Sequence, residues 1–249
     1  MTGRDVSDWE TFLFYRNEQE VYLTEDEILL QRITAAGYPC VCLLEEGAAP
    51  PWGVRFAAER EALTADYLSF VWHRFYRKPQ MIAVTAHLMI RESVMEDLPA
   101  FLEMYRQERQ NPDVTAFTEE PEQELYSYIR VQYEFFDYGL WTITLKENGS
   151  VIGRGGLTAY SPETDTSSQT KSEGTDLELA YLIAEEFRGC GFGAEAAEAF
   201  VKLAAQRFPE AAVYLRTSPE NRASAAIAGS LGGSLQKSRG RQQVYLIDL

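Results

Sequence analysis

Residues 177–208 read LELAYLIAEEFRGCGFGAEAAEAFVKLAAQRF. The first part, Leu177 to Ala184, is an apolar run rich in strand-forming side chains. From Ala194 onward apolar residues recur at helical spacing, so a strand is predicted to lead into a helix. Between them, the segment 188–193 (RGCGFG) carries glycine at alternate positions. Because a helix N-terminus presents unpaired N–H groups and partial positive charge, this turn predicts a phosphate-binding site.

Glycine-rich turns also occur without a ligand, and a tight connection is the alternative for this one. A Walker phosphate loop is excluded, because no Gly-Lys-Ser/Thr follows the turn. A dinucleotide-binding fingerprint fits poorly, since no acidic residue ends a second strand at the expected distance. The phosphate-binding interpretation therefore rests on the position of the turn between a strand and a helix.

The spacing Arg188-x-x-Gly191-x-Gly193 resembles the Q/R-x-x-G-x-G/A signature of the GNAT superfamily of N-acetyltransferases. The preceding ELAY (178–181) and the acidic pair before the turn are similar to the branch that acetylates ribosomal-protein N-termini. The resemblance covers residues 85–249. It implies an α/β (α+β) GNAT fold in which helices flank a mixed, mostly antiparallel central sheet. It also implies acetyl-CoA as cosubstrate and no metal.

Besides the glycine turn at 188–194, the resemblance assigns two further segments to acetyl-CoA. In the family, the strand equivalent to Leu177–Ala184 parts from its neighbour at a bulge and offers backbone groups to pantetheine. Asn221-x-x-Ser224 before a predicted helix is similar to the second half of the family's cofactor site. The residues expected to contact the cofactor are Leu182, Ile183, Arg188, Gly189, Cys190, Gly191, Phe192, Gly193, Ala194, Asn221 and Ser224.

The catalytic candidates are Glu178, Tyr181 and Asn221. Glu178 is the ionisable side chain within the strand that crosses the site, which suits a general base; a solvent-facing glutamate is the alternative. Side chains of a strand alternate, so Glu178 and Tyr181 share a face only if a bulge separates them. Many family members carry a tyrosine that protonates the thiolate where this chain has Ala228. That role is left to Tyr181, to water or to no group.

The resemblance implies an N-acetyltransferase that moves the acetyl group of acetyl-CoA to a primary amine of a small molecule or a protein N-terminus. The alternative is a non-catalytic acetyl-CoA-binding sensor or interaction module. The oligomeric state is left open, and a homodimer is one alternative.

The composition and net charge limit the classes of binding partner and the cellular location that we expect. The net charge of −15 disfavours nucleic acid and anionic lipid and favours a cationic amine as acceptor. There is no apolar run of about 18 residues and no signal-like N-terminus, so we expect a cytoplasmic protein without a membrane segment. Cys40, Cys42 and Cys190 are an odd count without metal-ligand spacing, which indicates a reducing compartment.

Residues 1–83 are predicted to form a small α/β accessory domain with a short parallel sheet. Its strands are expected at 21–23, 39–44 and 54–56, with Thr24 and Thr64 as helix N-caps. The AAGYPCV segment (35–41) is weakly similar to a fragment of haloacid-dehalogenase-like phosphatases. Their catalytic Asp-x-Asp has no counterpart, so we expect no catalysis here. Lys78-Pro79 marks the boundary to an acetyltransferase domain at 84–249.

Two further features lie within the predicted acetyltransferase domain. Alternating residues at 141–146 and 151–157 flank Asn148-Gly149, which predicts a hairpin. Residues 161–175 (SPETDTSSQTKSEGT) are polar and of low complexity, which predicts a mobile insertion; a lid and a functionless loop are the alternatives.

Overall fold

The computed structural model describes residues 12–16, 19–108, 111, 114, 117–160, 176–239 and 242–249. The chain divides into two compact units, Met1–Gln80 and Met81–Leu249. The predicted insertion at 161–175 lies outside the described residues. No helix among the described residues is long and apolar enough to cross a membrane.

The first unit contains a four-stranded sheet of order β1-β2-β3-β4. Its strands are β1 (Phe12–Arg16), β2 (Gln19–Thr24), β3 (Cys40–Leu44) and β4 (Ala57–Glu59). β2, β3 and β4 are parallel, as the α/β pattern predicts. β1 pairs antiparallel with β2 and was not predicted, and β4 begins later than the expected strand at Val54.

The helices of this unit are α1 (Glu27–Ala35) and α2 (Ala65–Tyr76). Thr64 caps α2 as predicted, since its hydroxyl accepts from the Tyr67 N–H at 3.1 Å. The prediction of Thr24 as the cap of α1 is wrong. Asp26 caps that helix, accepting from the Ile28 and Leu29 N–H groups at 2.8 and 3.0 Å. Thr24 ends β2 instead, and its hydroxyl accepts from the Asp26 N–H.

The second unit contains an eight-stranded sheet of order β11-β12-β10-β9-β8-β7-β6-β5. Its strands are β5 (Met81–Val84), β6 (Leu88–Arg91), β7 (Leu140–Leu145), β8 (Val151–Ala159), β9 (Leu177–Ile183), β10 (Val213–Thr217), β11 (Ser234–Arg239) and β12 (Gln242–Ile247). Neighbours are antiparallel except β9 and β10, which are parallel. The predicted mixed, mostly antiparallel sheet is confirmed.

Helices cover both faces of this sheet. They are α3 (Leu98–Gln107), α4 (Pro121–Phe135), α5 (Phe192–Arg207) and α6 (Arg222–Ser230). On the face that we name the α5 face, the Phe200 ring lies 5.8 Å from the ring of Trp141 in β7. On the opposite α3–α4 face, Leu182 of β9 packs with Phe101 of α3 and Leu125 of α4.

Strand β9 runs against β8 in unbroken register, from the Leu177–Ala159 pair to the Ile183–Gly153 pair. The bulge predicted in β9 is therefore absent from this pairing; a register shift lies between β7 and β8 instead. Since Leu182 lies on the α3–α4 face, alternation places Glu178 there and Tyr181 on the α5 face. The two catalytic candidates do not share a face.

Candidate functional site

The site begins where β9 and β10 part. They pair only through Leu177–Val213 and Glu178–Tyr214, although both strands continue. The Leu177 N–H donates toward the β10 side, to the Ala212 carbonyl at 2.8 Å. Because the bonding direction alternates along a strand, the backbone groups of Tyr181 and Ile183 face the resulting gap. The strand separation that the resemblance implies is present without the bulge.

The gap opens into a cleft of about 1020 Å³. The predicted site residues that line it are Glu178, Tyr181, Leu182, Ile183, Arg188, Gly189, Gly191, Phe192, Gly193, Ala194, Asn221 and Ser224. Cys190 is the exception among the predicted residues. Its side chain is exposed and its Sγ donates to the Arg188 carbonyl at 3.7 Å, so the thiol is not part of the cleft wall.

The glycine turn ends at the N-terminus of α5, and Gly191 is its N-cap. The first bond inside the helix runs from the Glu195 N–H to the Gly191 carbonyl, so the three preceding N–H groups have no partner within the helix. Gly189 and Gly191 have φ angles of 76° and 86°, which favour glycine. A Cβ at either would meet no atom within 4 Å, so space for an anion lies beside the backbone. This geometry fits a pyrophosphate.

Glu195 in the first turn of α5 would compete with a bound anion, but its carboxylate is held elsewhere. It accepts from the Thr85 hydroxyl at 2.5 Å, the His87 N–H at 2.7 Å and His87 Nδ1 at 2.9 Å. Burial alone would raise the pKa of Glu195, but these hydrogen bonds outweigh it and lower the pKa. The carboxylate therefore stays ionised against the β5–β6 turn.

Arg188 links the turn to two other parts of the cleft. Its Nε donates to the Ile183 carbonyl at 2.8 Å, and its Nη2 pairs with Glu108 at 2.6 Å. The Glu108 side chain is only 11% exposed, and Asn111 donates to its second oxygen. Burial opposes ionisation of Glu108, but the Asn111 and Arg188 bonds outweigh it and lower its pKa. The Glu108 carboxylate is thus paired with Arg188, the arginine that is expected to bind the pyrophosphate.

Glu108→Gln is expected to tighten coenzyme A binding by about three- to tenfold. The substitution removes a negative charge from the cleft and releases Arg188 for the phosphates. Isothermal titration with coenzyme A measures the change. Glu220→Gln, which removes the same charge from an exposed position of the cleft lining, is the control and should change the affinity less. Weaker binding by Glu108→Gln would mean that the ion pair is needed to shape the turn.

At the closed end of the gap, Glu178 of β9 pairs with Arg216 of β10. Arg216 Nε and Nη2 donate to the two carboxylate oxygens at 3.0 and 2.5 Å, and both side chains line the cleft. The guanidinium carbon also lies 5.5 Å from the Tyr160 ring, which stacks on Tyr214. Both carboxylate oxygens of Glu178 are therefore already hydrogen-bonded to one guanidinium.

The Tyr181 side chain extends from β9 toward α6. Its hydroxyl donates to Ser224 Oγ at 3.3 Å, and Asn221 Oδ1 accepts from the Ser224 N–H at 3.1 Å as the N-cap of α6. Burial raises the pKa of Tyr181, although the Ser224 bond acts in the opposite direction, so the phenol is protonated at neutral pH. Ala228 is buried in α6 and supplies no hydroxyl.

The family model of the acetyltransferase (GNAT) domain matches residues 87–234, more than half of the chain. The chain belongs to the GNAT acetyltransferase family. Solved structures similar to this GNAT chain include an acetyltransferase from Agrobacterium tumefaciens, which is 26% identical at a TM-score of 0.51. That match covers 67% of this chain and 94% of the other.

Two structures of ribosomal-protein acetyltransferases are similar to this chain in fold alone. A putative ribosomal-protein-serine acetyltransferase from Vibrio cholerae is 17% identical, with a TM-score of 0.53 over 68% of this chain and 98% of its own. RimL, a ribosomal L7/L12 alpha-N-protein acetyltransferase solved with coenzyme A, is 16% identical, with a TM-score of 0.52 over 68% and 98%. Nothing in these comparisons supports the haloacid-dehalogenase-like resemblance of residues 1–83.

Sequence reading missed two residues of the GNAT cleft, Glu108 and Arg216. Each forms an ion pair with a predicted site residue that is distant along the chain, Arg188 or Glu178. Because Glu178 pairs with Tyr214 and side chains of a strand alternate, Arg216 lies on the same face as Glu178; the pairing of β9 with β10 is therefore the signal that predicts this contact. Glu108 follows the end of α3 and carries no comparable signal. Among the described residues, no His, Cys, Asp and Glu cluster could hold a metal ion.

Proposed function

We propose that this GNAT protein transfers the acetyl group of acetyl-CoA to a primary amine of a small molecule or a protein N-terminus. The observation that carries the proposal is the gap between β9 and β10, which leads directly to the glycine turn and the N-terminus of α5. Such a path offers backbone hydrogen bonds to an extended pantetheine arm and N–H groups to a pyrophosphate.

The chain's groups would divide the cofactor between them. The Tyr181 and Ile183 backbone faces the gap and would pair with pantetheine. The N–H groups of residues 192–194 would bind the pyrophosphate, with Arg188 as the cationic side chain. Because Asn221 Oδ1 caps α6, its Nδ2 group is the part of the side chain suited to donate to the pantetheine arm.

Bound acetyl-CoA would supply a thioester whose carbon is attacked by the neutral amine as the C–S bond breaks and the thiolate leaves. The Tyr181 N–H would donate to the carbonyl oxygen as it gains charge. The Tyr181 phenol, protonated at neutral pH, is the side chain that would donate a proton to the departing sulfur. The acceptor would approach over the α3–α4 face, because α5, α6 and the phosphate turn fill the opposite one.

Glu178→Gln is expected to lower turnover by about 10- to 100-fold, and this factor should be the same at every pH. The Arg216 pair favours a positioning role for Glu178, in which the carboxylate accepts a hydrogen bond from the amine and the proton goes to water. Rates measured from about pH 6 to pH 9 test this. A loss concentrated at low pH, where the free amine is scarce, would restore Glu178 as general base.

The experiment for the proposed function combines titration and turnover. Isothermal titration with acetyl-CoA tests the cleft, and release of free thiol over a panel of primary amines tests transfer. Binding with amine-dependent thiol release supports the proposal. Binding without turnover favours the sensor or interaction module, and no binding would overturn the cleft assignment.

Three further points belong to this proposal. The acceptor is a cationic amine, for which the net charge of −15 gives favourable long-range attraction. Residues 1–83 serve as a non-catalytic accessory domain to a catalytic domain at 84–249. A cytoplasmic location and a homodimer stay predictions.

A further inference from the structure

Arg154 of β8 has surroundings that the proposed chemistry does not explain. Its side chain points to the α3–α4 face and the residue is only 7% exposed. Its guanidinium carbon lies 5.1 Å from the ring centres of Phe101 and Tyr128 and 5.3 Å from that of Phe117. Three aromatic rings therefore enclose a charged group that normally stays in water.

The guanidinium is poorly satisfied. Its one hydrogen bond among the described residues runs from Nη1 to the Tyr105 hydroxyl at 3.4 Å, and its buried Nε has no hydrogen-bond partner there. The arginines at 91, 188 and 216 each pair with a carboxylate, whereas Arg154 has no carboxylate partner among the described residues. Burying an unpaired guanidinium is unfavourable, and ring faces supply only part of the missing interaction.

Arg154 lies beside the cleft. It is the cross-strand partner of Leu182, which lines the cleft and neighbours Tyr181. Along the same face the next pairs are Gly156–Ala180 and Thr158–Glu178. Gly156 and Ala180 are small residues, and roughly 13 Å separate Arg154 from Glu178 along this face at strand spacing.

We propose that Arg154 binds a carboxylate of the acceptor, so that the acceptor is an amine that also carries a carboxylate, as an amino acid does. The proposal rests on the proposed acetyl transfer for the location of the acceptor. A planar carboxylate matches the guanidinium fork with two parallel hydrogen bonds, which would satisfy the donors left over. The net charge of −15 favours an acceptor whose carboxylate is accompanied by a cationic amine, so a simple anion such as acetate is expected to bind more weakly than a zwitterion.

The first experiment compares free amino acids with their carboxamides as acceptors, with acetyl-CoA saturating and thiol release as the readout. The variants are Arg154→Met and the control Arg130→Met. Arg130 is an exposed arginine that also lies over a tyrosine ring and donates to its hydroxyl, so the control removes the same groups outside the cleft. We expect wild type and Arg130→Met to prefer the acid by about 10- to 100-fold, and Arg154→Met to lose the preference. An equal preference in all three proteins would overturn the proposal.

A second readout does not depend on turnover. Melting temperature is measured in increasing acetate and, separately, in acetamide. We expect acetate but not acetamide to stabilise wild type and Arg130→Met and to leave Arg154→Met unchanged. Without ligand, Arg154→Met should melt no lower than wild type, since it removes an unpaired buried charge and keeps the apolar stem. A lower melting point with no acetate effect in any protein would make Arg154 a packing element and refute the site. Acetate stabilisation that needs Arg154, in a protein inactive on every amine, would support the carboxylate site while the acetyl transfer fails.

Discussion

Gly191→Glu is expected to weaken acetyl-CoA binding by at least about 100-fold. The new carboxylate would stand at the N-cap of α5, beside the N–H groups expected to bind the pyrophosphate. There is room for it, since a Cβ at this position meets no atom within 4 Å. An acidic group at a helix N-terminus stabilises the helix, so α5 should stay folded. Isothermal titration measures the affinity, and circular dichroism checks the fold.

Gly191→Gln is the matched control. Both substitutions place a side chain on a backbone with φ of 86°, a strain of about 1–2 kcal/mol, but only glutamate adds charge. We expect the glutamine variant to lose about tenfold or less. If the two variants bind equally well, the charge does not meet the cofactor, and the turn is not its phosphate site.

The parts of the fold that could be predicted depend on local signals. The strand, glycine turn and helix at 177–208 follow from periodicity and from a backbone conformation that glycine tolerates. Asn148-Gly149 fixed the β7–β8 hairpin, and Asn221 caps α6 through the Ser224 N–H. In each case the deciding residues lie within a few positions of each other.

What could not be predicted depends on partners that are distant along the chain. The Glu178–Arg216 pair joins two strands, and the Arg188–Glu108 pair joins the turn to the end of α3. Neither has a signature in sequence, because opposite charges are common and only the fold brings these together. The same holds for Gly155, where a Cβ would lie 2.8 Å from Tyr181 Cβ; the reason for this glycine is visible only across the strands.

A buried polar network holds the start of α3 to the sheet. Arg91 donates to both oxygens of Asp97 at 2.8 and 2.7 Å, and Asp97 also accepts from the Val94 N–H and the Thr142 hydroxyl. Asp97 is 3% exposed. Burial alone would raise its pKa, but the bonds from Arg91, Val94 and Thr142 outweigh burial and hold the pKa below its ordinary value. The carboxylate is therefore ionised and satisfied on every side.

Asp97→Ala is expected to lower the free energy of unfolding by about 3 kcal/mol at neutral pH, because it leaves the part-buried Arg91 guanidinium without its carboxylate. A carboxyl whose pKa is lower in the folded state stabilises the fold above its unfolded pKa of about 3.9 and loses this contribution as pH falls through the folded pKa. The difference between wild type and Asp97→Ala should thus be constant above about pH 5 and shrink in stronger acid. Urea unfolding across this range measures it. Glu103→Ala breaks the exposed pair with Arg106 and should change the free energy of unfolding little. An equal loss in both variants would show that the buried network contributes no more to stability than an exposed ion pair.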